Sequence, residues 1–166
     1  MALKEVPPQG TLASHAEEAP RLRCYRVVAM IKNAKVLATV RKNWAGVEAL
    51  RGSLDVSAYA AIGGGGLFPF RLSNAAHNLP FLHASAVLND VLEQLAKEGY
   101  FECEERALGK LLRASEGVLS WKNFALMMAL LDRRNALAHR GKVFDRTESW
   151  KYVDAIKVEL TAWGVL

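Results

Sequence analysis

Apolar residues recur at steps of three and four from Val27 onward, at Val27, Met30, Ile31, Ala34, Leu37, Val40, Trp44 and Val47. That spacing places them on one face of a helix, with Arg26, Lys32, Lys35 and Arg41 on the other. Val27-Val28 and the Val36 to Val40 stretch also suit β-structure, so a hairpin turning at Lys32 to Lys35 is the competing assignment. A second helical stretch is expected from about Gly46 to Ala61. Gly63 to Gly66 then reads as a flexible hinge, because no Lys-Ser or Lys-Thr follows to make it a phosphate-binding loop.

Beyond the glycines the pattern predicts four helices. The first starts near Pro80 and stops at Gly99, with Phe81, Leu88, Leu92 and Leu95 turned inward. The second runs from about Glu102 to Ala114 and buries Leu108, Leu111 and Leu112. The third is capped by Ser120, continues through Phe124, Met127, Met128 and Leu131, and ends at Gly141. The fourth begins near Thr147 and carries Trp150, Val153, Ile156, Leu160 and Trp163 at helical spacing. The expectation is an all-α protein, an antiparallel four-helix bundle with an N-terminal helical extension. Three regions follow: residues 1–20 as a flexible leader, 21–66 as a basic element ending in the glycine hinge, and 67–166 as the helical domain.

Composition changes this picture little. The hydrophobic fraction of 51% in 166 residues is enough for a single core. Net charge is +5, a mild bias towards an acidic partner such as nucleic acid. Its distribution is more telling: Arg21, Arg23, Arg26, Lys32, Lys35, Arg41 and Lys42 succeed one another without an intervening acid. A second basic group comprises Arg133, Arg134, Arg140, Lys142 and Arg146. Cys24 and Cys103 have neither metal nor redox spacing and read as free thiols. No apolar run is long enough to span a bilayer. The expected location is cytoplasmic, without membrane association.

The chemistry concentrates in Leu131-Asp132-Arg133-Arg134-Asn135-Ala136-Leu137-Ala138-His139-Arg140-Gly141, where an apolar helix should stop. Arg134, Asn135 and His139 form the grammar R-N-x-x-x-H. Asn135 and His139, four apart, share a helix face. Arg134 and His139, five apart, are roughly 140° apart around an ideal helix. The motif and its place on the third helix resemble the HEPN superfamily, many of whose members are metal-independent ribonucleases. The resemblance covers about Leu79 to Leu166 and nothing in residues 1–66.

The resemblance implies a cofactor-free, metal-free endoribonuclease working as a homodimer, in a toxin–antitoxin or phage-defence setting with a possible antitoxin partner. Ribose 2′-hydroxyl attack needs a base, an acid and a cation at phosphorus. His139 would serve as acid–base, Arg134 would grip the phosphate bidentately, and Asn135 would orient His139 or the scissile phosphate. A second His139 from a dimer partner would supply the missing proton-transfer group. Arg133, Arg140 and Lys142 are the candidate RNA contacts, with the Arg21 to Lys42 segment holding RNA or an antitoxin.

Plainer readings stay open. The motif cations suit a helix C-terminus through the helix dipole alone. A non-catalytic RNA- or protein-binding module is the alternative function, and a helical DNA-binding regulator a third. His77 and His83 lack the ligands for a zinc site. Asn89, Asp90 and Glu93 are candidates to point polar groups at the motif. Trp121, Trp150 and Trp163 read as core or interface residues.

Overall fold

A computed structural model describes residues 29–56, 59–62, 66–69 and 73–166, with side chains described for 29–54 and 73–166. The leader, Arg21, Arg23, Arg26, Val27 and Gly63 to Gly65 lie outside the described residues. The described helices are α1 (Ala34–Val56), α2 (Asn74–His77), α3 (Leu79–Lys97), α4 (Leu108–Ser115), α5 (Phe124–Arg140) and α6 (Arg146–Ala162). A short antiparallel pair, β1 (Tyr59–Ile62) and β2 (Gly66–Pro69), runs in the register Tyr59↔Pro69 to Ile62↔Gly66.

α3 is the central element, packed against α1, α4, α5 and α6. Contact on so many sides requires more than one apolar stripe. Pro80, Phe81, Ala84, Val87, Leu88, Val91, Leu92 and Leu95 are all buried. Val40, Trp44 and Val47 of α1 join the same core, together with Leu111, Met127, Leu130, Ile156 and Leu160. The N-terminal helix is therefore docked on the body, and its burial contributes to one continuous hydrophobic core.

The start of α1 corrects the sequence expectation. Residues 29–33 are not helical, and the chain enters the helix at Ala34 rather than Val27. Asn33 accepts bonds through Oδ1 from the N–H groups of Lys35 and Val36, the geometry that opens a helix. The preceding backbone is bound elsewhere. Met30 N–H donates to Trp163 O, Tyr100 Oη donates to Met30 O, and the Lys32 and Asn33 N–H groups donate to the Glu98 carboxylate. These tertiary bonds occupy groups that a longer helix, or a hairpin turning at Lys32 to Lys35, would have used. α1 also runs unbroken through Gly46 to Val56, and Tyr59–Ile62 is strand where helix was expected to Ala61.

In the body the expected order holds, with two shifted boundaries and one added turn. α4 begins at Leu108 rather than near Glu102. Ser120 does not cap α5; Asn123 does, accepting from Leu126 N–H. The Ser120 carbonyl instead receives Trp163 Nε1. The short α2 has no apolar period to announce it. α6 is opened by Asp145, whose carboxylate accepts Glu148 N–H. Trp163 is buried and meets Trp121 edge-on at 4.7 Å. Trp150 is half-buried under the Arg146 guanidinium, 3.8 Å above its ring.

Glu98 couples α3 to the entrance of α1. Desolvation raises the pKa of its carboxyl, but bonds from Lys32 N–H, the Gln94 amide and Asn33 N–H, with the Lys32 charge, outweigh it, and the pKa lies below the usual value of 4.5. A lowered folded-state pKa contributes stability that is present above 4.5 and lost as pH falls through the folded value. Glu98→Gln is expected to lower Tm by about 2–4 °C at pH 7. Thermal melts across pH should show the gap to wild type closing below pH 4.5; a gap independent of pH would show that the carboxylate charge is not what holds the two elements together.

Candidate functional site

The motif helix is held at both ends. At its start, Glu159 of α6, 1% exposed, accepts the N–H groups of Lys122 and Asn123 at 2.8 and 2.7 Å. A buried carboxylate is tolerated there because two N–H donors and the positive end of α5 stabilise it. At the other end, Gly141 takes the left-handed conformation with φ 61°, and its N–H donates to Leu137 O while Lys142 N–H donates to Ala136 O. These bonds satisfy carbonyls that the helix leaves open.

The chain beyond Gly141 is pinned by Asn78, 1% exposed. Its amide donates to Phe144 O and Asn74 O at 2.7 and 2.8 Å, and its Oδ1 accepts Phe144 N–H at 3.1 Å. Ser149 Oγ donates to His77 O close by. The α5–α6 connection is thus locked to the start of α3.

Along the outer part of α5 lies a cavity of about 810 Å³. α5 lines it with Leu131, Arg134, Asn135, Ala138 and His139. α3 contributes Leu82, Ser85, Ala86, Asn89 and Asp90, and the third wall is the 105–110 stretch with Arg113. Arg134 and His139 face one space even though they are five residues apart. The reason is that the cavity is wide and takes in the whole Leu131, Arg134/Asn135, Ala138/His139 stripe. Arg134 Nη1 donates to Asn135 Oδ1 at 3.3 Å, so Asn135 orients the arginine in this state.

The other candidates separate from this group. Arg133 turns to α6, where Nε meets Glu148 Oε1 at 2.8 Å. Arg140 and Lys142 are exposed at the helix end and do not line the cavity. In the N-terminal basic segment, Arg41 donates to the carbonyls of Val165 and Gly164, while Lys35 and Lys42 are exposed. Glu93 is engaged by Asn89 Nδ2 at 3.0 Å and by Lys97 at 3.5 Å, and lies outside the cavity lining. His77 meets Trp150 edge-on at 6.1 Å, and among the described residues no group of three or more His, Cys, Asp or Glu is placed to hold a metal. Among the described residues, no helix is long and apolar enough to cross a membrane.

Sequence reasoning passed over Arg106, Lys110 and Arg113. Their i, i+4, i+7 spacing was visible, but only the packing of α4 on α5 brings them beside the motif. Gly109 permits this approach, since a Cβ there would lie 3.1 Å from Leu131 Cδ2. The chain matches no protein-family model, no curated protein and no solved structure.

Asp90 is the acidic group of the α3 wall. Partial burial raises its pKa above the usual 3.8, Glu93 adds to the rise, and Lys97 opposes it. A raised folded-state pKa means that the charged carboxylate disfavours the fold at neutral pH. That cost fades as pH falls towards 3.8, where the unfolded chain also protonates. Asp90→Asn is therefore expected to melt at the wild-type temperature or higher at pH 7, with the two curves converging in acid. A variant less stable than wild type at pH 7 would mean that the carboxylate has a stabilising partner.

Proposed function

We propose that this chain is a metal-independent endoribonuclease of HEPN type, its helix α5 presenting Arg134, Asn135 and His139 to an RNA substrate. The reading rests on one observation above all: Arg134, Asn135 and His139 line the same cavity of about 810 Å³, beside further cations. A four-helix arrangement of α3 to α6, with α1 added at the N-terminal side, is the HEPN-like element of the proposal. Its cytoplasmic setting and its role as a toxin or defence effector belong to the same reading.

The chemistry follows from the groups. His139 removes the 2′-hydroxyl proton, the oxygen attacks phosphorus, and the 5′-oxygen leaves with a proton, giving a 2′,3′-cyclic phosphate and a 5′-hydroxyl. Arg134, steadied by Asn135, offers paired N–H donors to the phosphate oxygens as negative charge accumulates. A single chain supplies one histidine here, so the second proton transfer falls to His139 of a homodimer partner or to solvent.

Incubation of the purified protein with end-labelled RNA in excess EDTA should yield 2′,3′-cyclic phosphate ends. Arg134→Ala and His139→Ala should each lower the cleavage rate by at least about 100-fold. Both variants cutting at the wild-type rate would sink the assignment.

A further inference from the structure

The cavity is larger than one phosphodiester requires. At about 810 Å³ it lies towards the upper end of the 300–1,000 Å³ typical of ligand sites, and the α5 motif forms only one of its walls. The α4 side supplies Arg106, Lys110 and Arg113. Lys110 is paired with Glu105 at 2.9 Å, whereas among the described residues Arg106 and Arg113 have no carboxylate partner.

This sets them apart from most arginines of the described surface. Arg41 is taken by C-terminal carbonyls, Arg51 by Asp154, Arg133 by Glu148 and Arg134 by Asn135. Two unpaired guanidinium groups concentrated in the cavity that holds the motif make an electrostatic excess there. Counting every charged side chain of the lining, four cations face two carboxylates, Asp90 and Glu105, one of which is already engaged by Lys110. Guanidinium groups bind phosphate oxygens through paired N–H donors and lose little by leaving water.

We infer that Arg106 and Arg113 form a second phosphate subsite, so that the cavity holds a single-stranded RNA segment by at least two phosphates, the scissile one at Arg134 and a flanking one at the α4 wall. The inference rests on the proposed RNA substrate but not on its cleavage. A half-open cleft between helices admits nucleotides splayed from a single strand. A stacked duplex presents its phosphates on a broad cylinder and reaches only the rim. The α4 wall thus sets both affinity and strandedness, leaving the chemistry to α5.

The test is equilibrium binding to a fluorescently labelled single-stranded oligoribonucleotide across a salt series. The parent is the full chain carrying His139→Ala, which binds without cutting. Adding Arg106→Ala and Arg113→Ala together should weaken binding by at least about tenfold. The slope of log affinity against log salt should fall by about 0.7, the change expected for the loss of one phosphate contact on a single strand. Both side chains are exposed, so Tm should stay at the parental value. A duplex of the same sequence should compete poorly.

Unchanged affinity and salt slope would overturn the subsite, as would a parent that binds no RNA or a duplex that competes as well as the single strand. Failure of the nuclease reading looks different. Wild type would then cut nothing, while loss of binding in the double variant would still establish the α4 wall as a phosphate site.

Discussion

α3 cannot be removed from water by any single neighbour. Its buried residues form two adjoining rows, Pro80, Ala84, Val87 and Val91 beside Phe81, Leu88, Leu92 and Leu95, and together they cover about 140° of the helix, more than one neighbour can face. α1, α4, α5 and α6 supply the neighbours, which makes the positions of all four mutually dependent. The cost of ordering so many residues is offset only when the whole set closes around α3. The cavity lies on the face of α3 that this closure leaves open, where Leu82 is followed by the smaller or polar Ser85, Ala86, Asn89 and Asp90. Small and polar residues there leave room that Leu or Phe would have filled.

The bonds that fix α5 are polar and come from other elements. Glu159 holds its first turn from α6, and Asn78 holds the connection after its last turn from the start of α3. Buried polar groups of this kind are stable only when their partners are all in place, so they specify one arrangement rather than a family of similar ones. A site whose groups sit on a helix fixed in this way is set by the scaffold, whereas a loop would leave it to adjust.

Much of this was legible in the chain. Pro80, Gly99 and Gly141 mark helix boundaries through local backbone chemistry, and the structure respects them, with Gly99 and Gly141 both at positive φ. The same logic failed where distant groups intervene. Nothing local indicates that Glu98 will capture the Lys32 and Asn33 amides, so the helical period beginning at Val27 looked continuous into α1. Ser120 and Asn123 are both plausible caps, and the choice falls to Asn123 because Glu159 holds the backbone of Lys122 and Asn123 in place. At the site, the motif was readable as a spacing, but its surroundings were not. Arg106 and Arg113 lie more than twenty residues earlier in sequence and become neighbours of Arg134 only through packing.

The adjacent arginines of α5 show how finely the helix must be phased. Arg133 is committed to Glu148 on α6, and Arg134 to the cavity beside Asn135. Successive residues point about 100° apart around a helix. Inserting or deleting one residue between the Asn123 cap and this pair would rotate the downstream face by that angle. Arg134 would leave the cavity and its neighbour's ion pair would be lost, with the sequence of the motif itself intact. The two arginines are alike in chemistry and opposite in use, and the rotational setting of one helix is what distinguishes them.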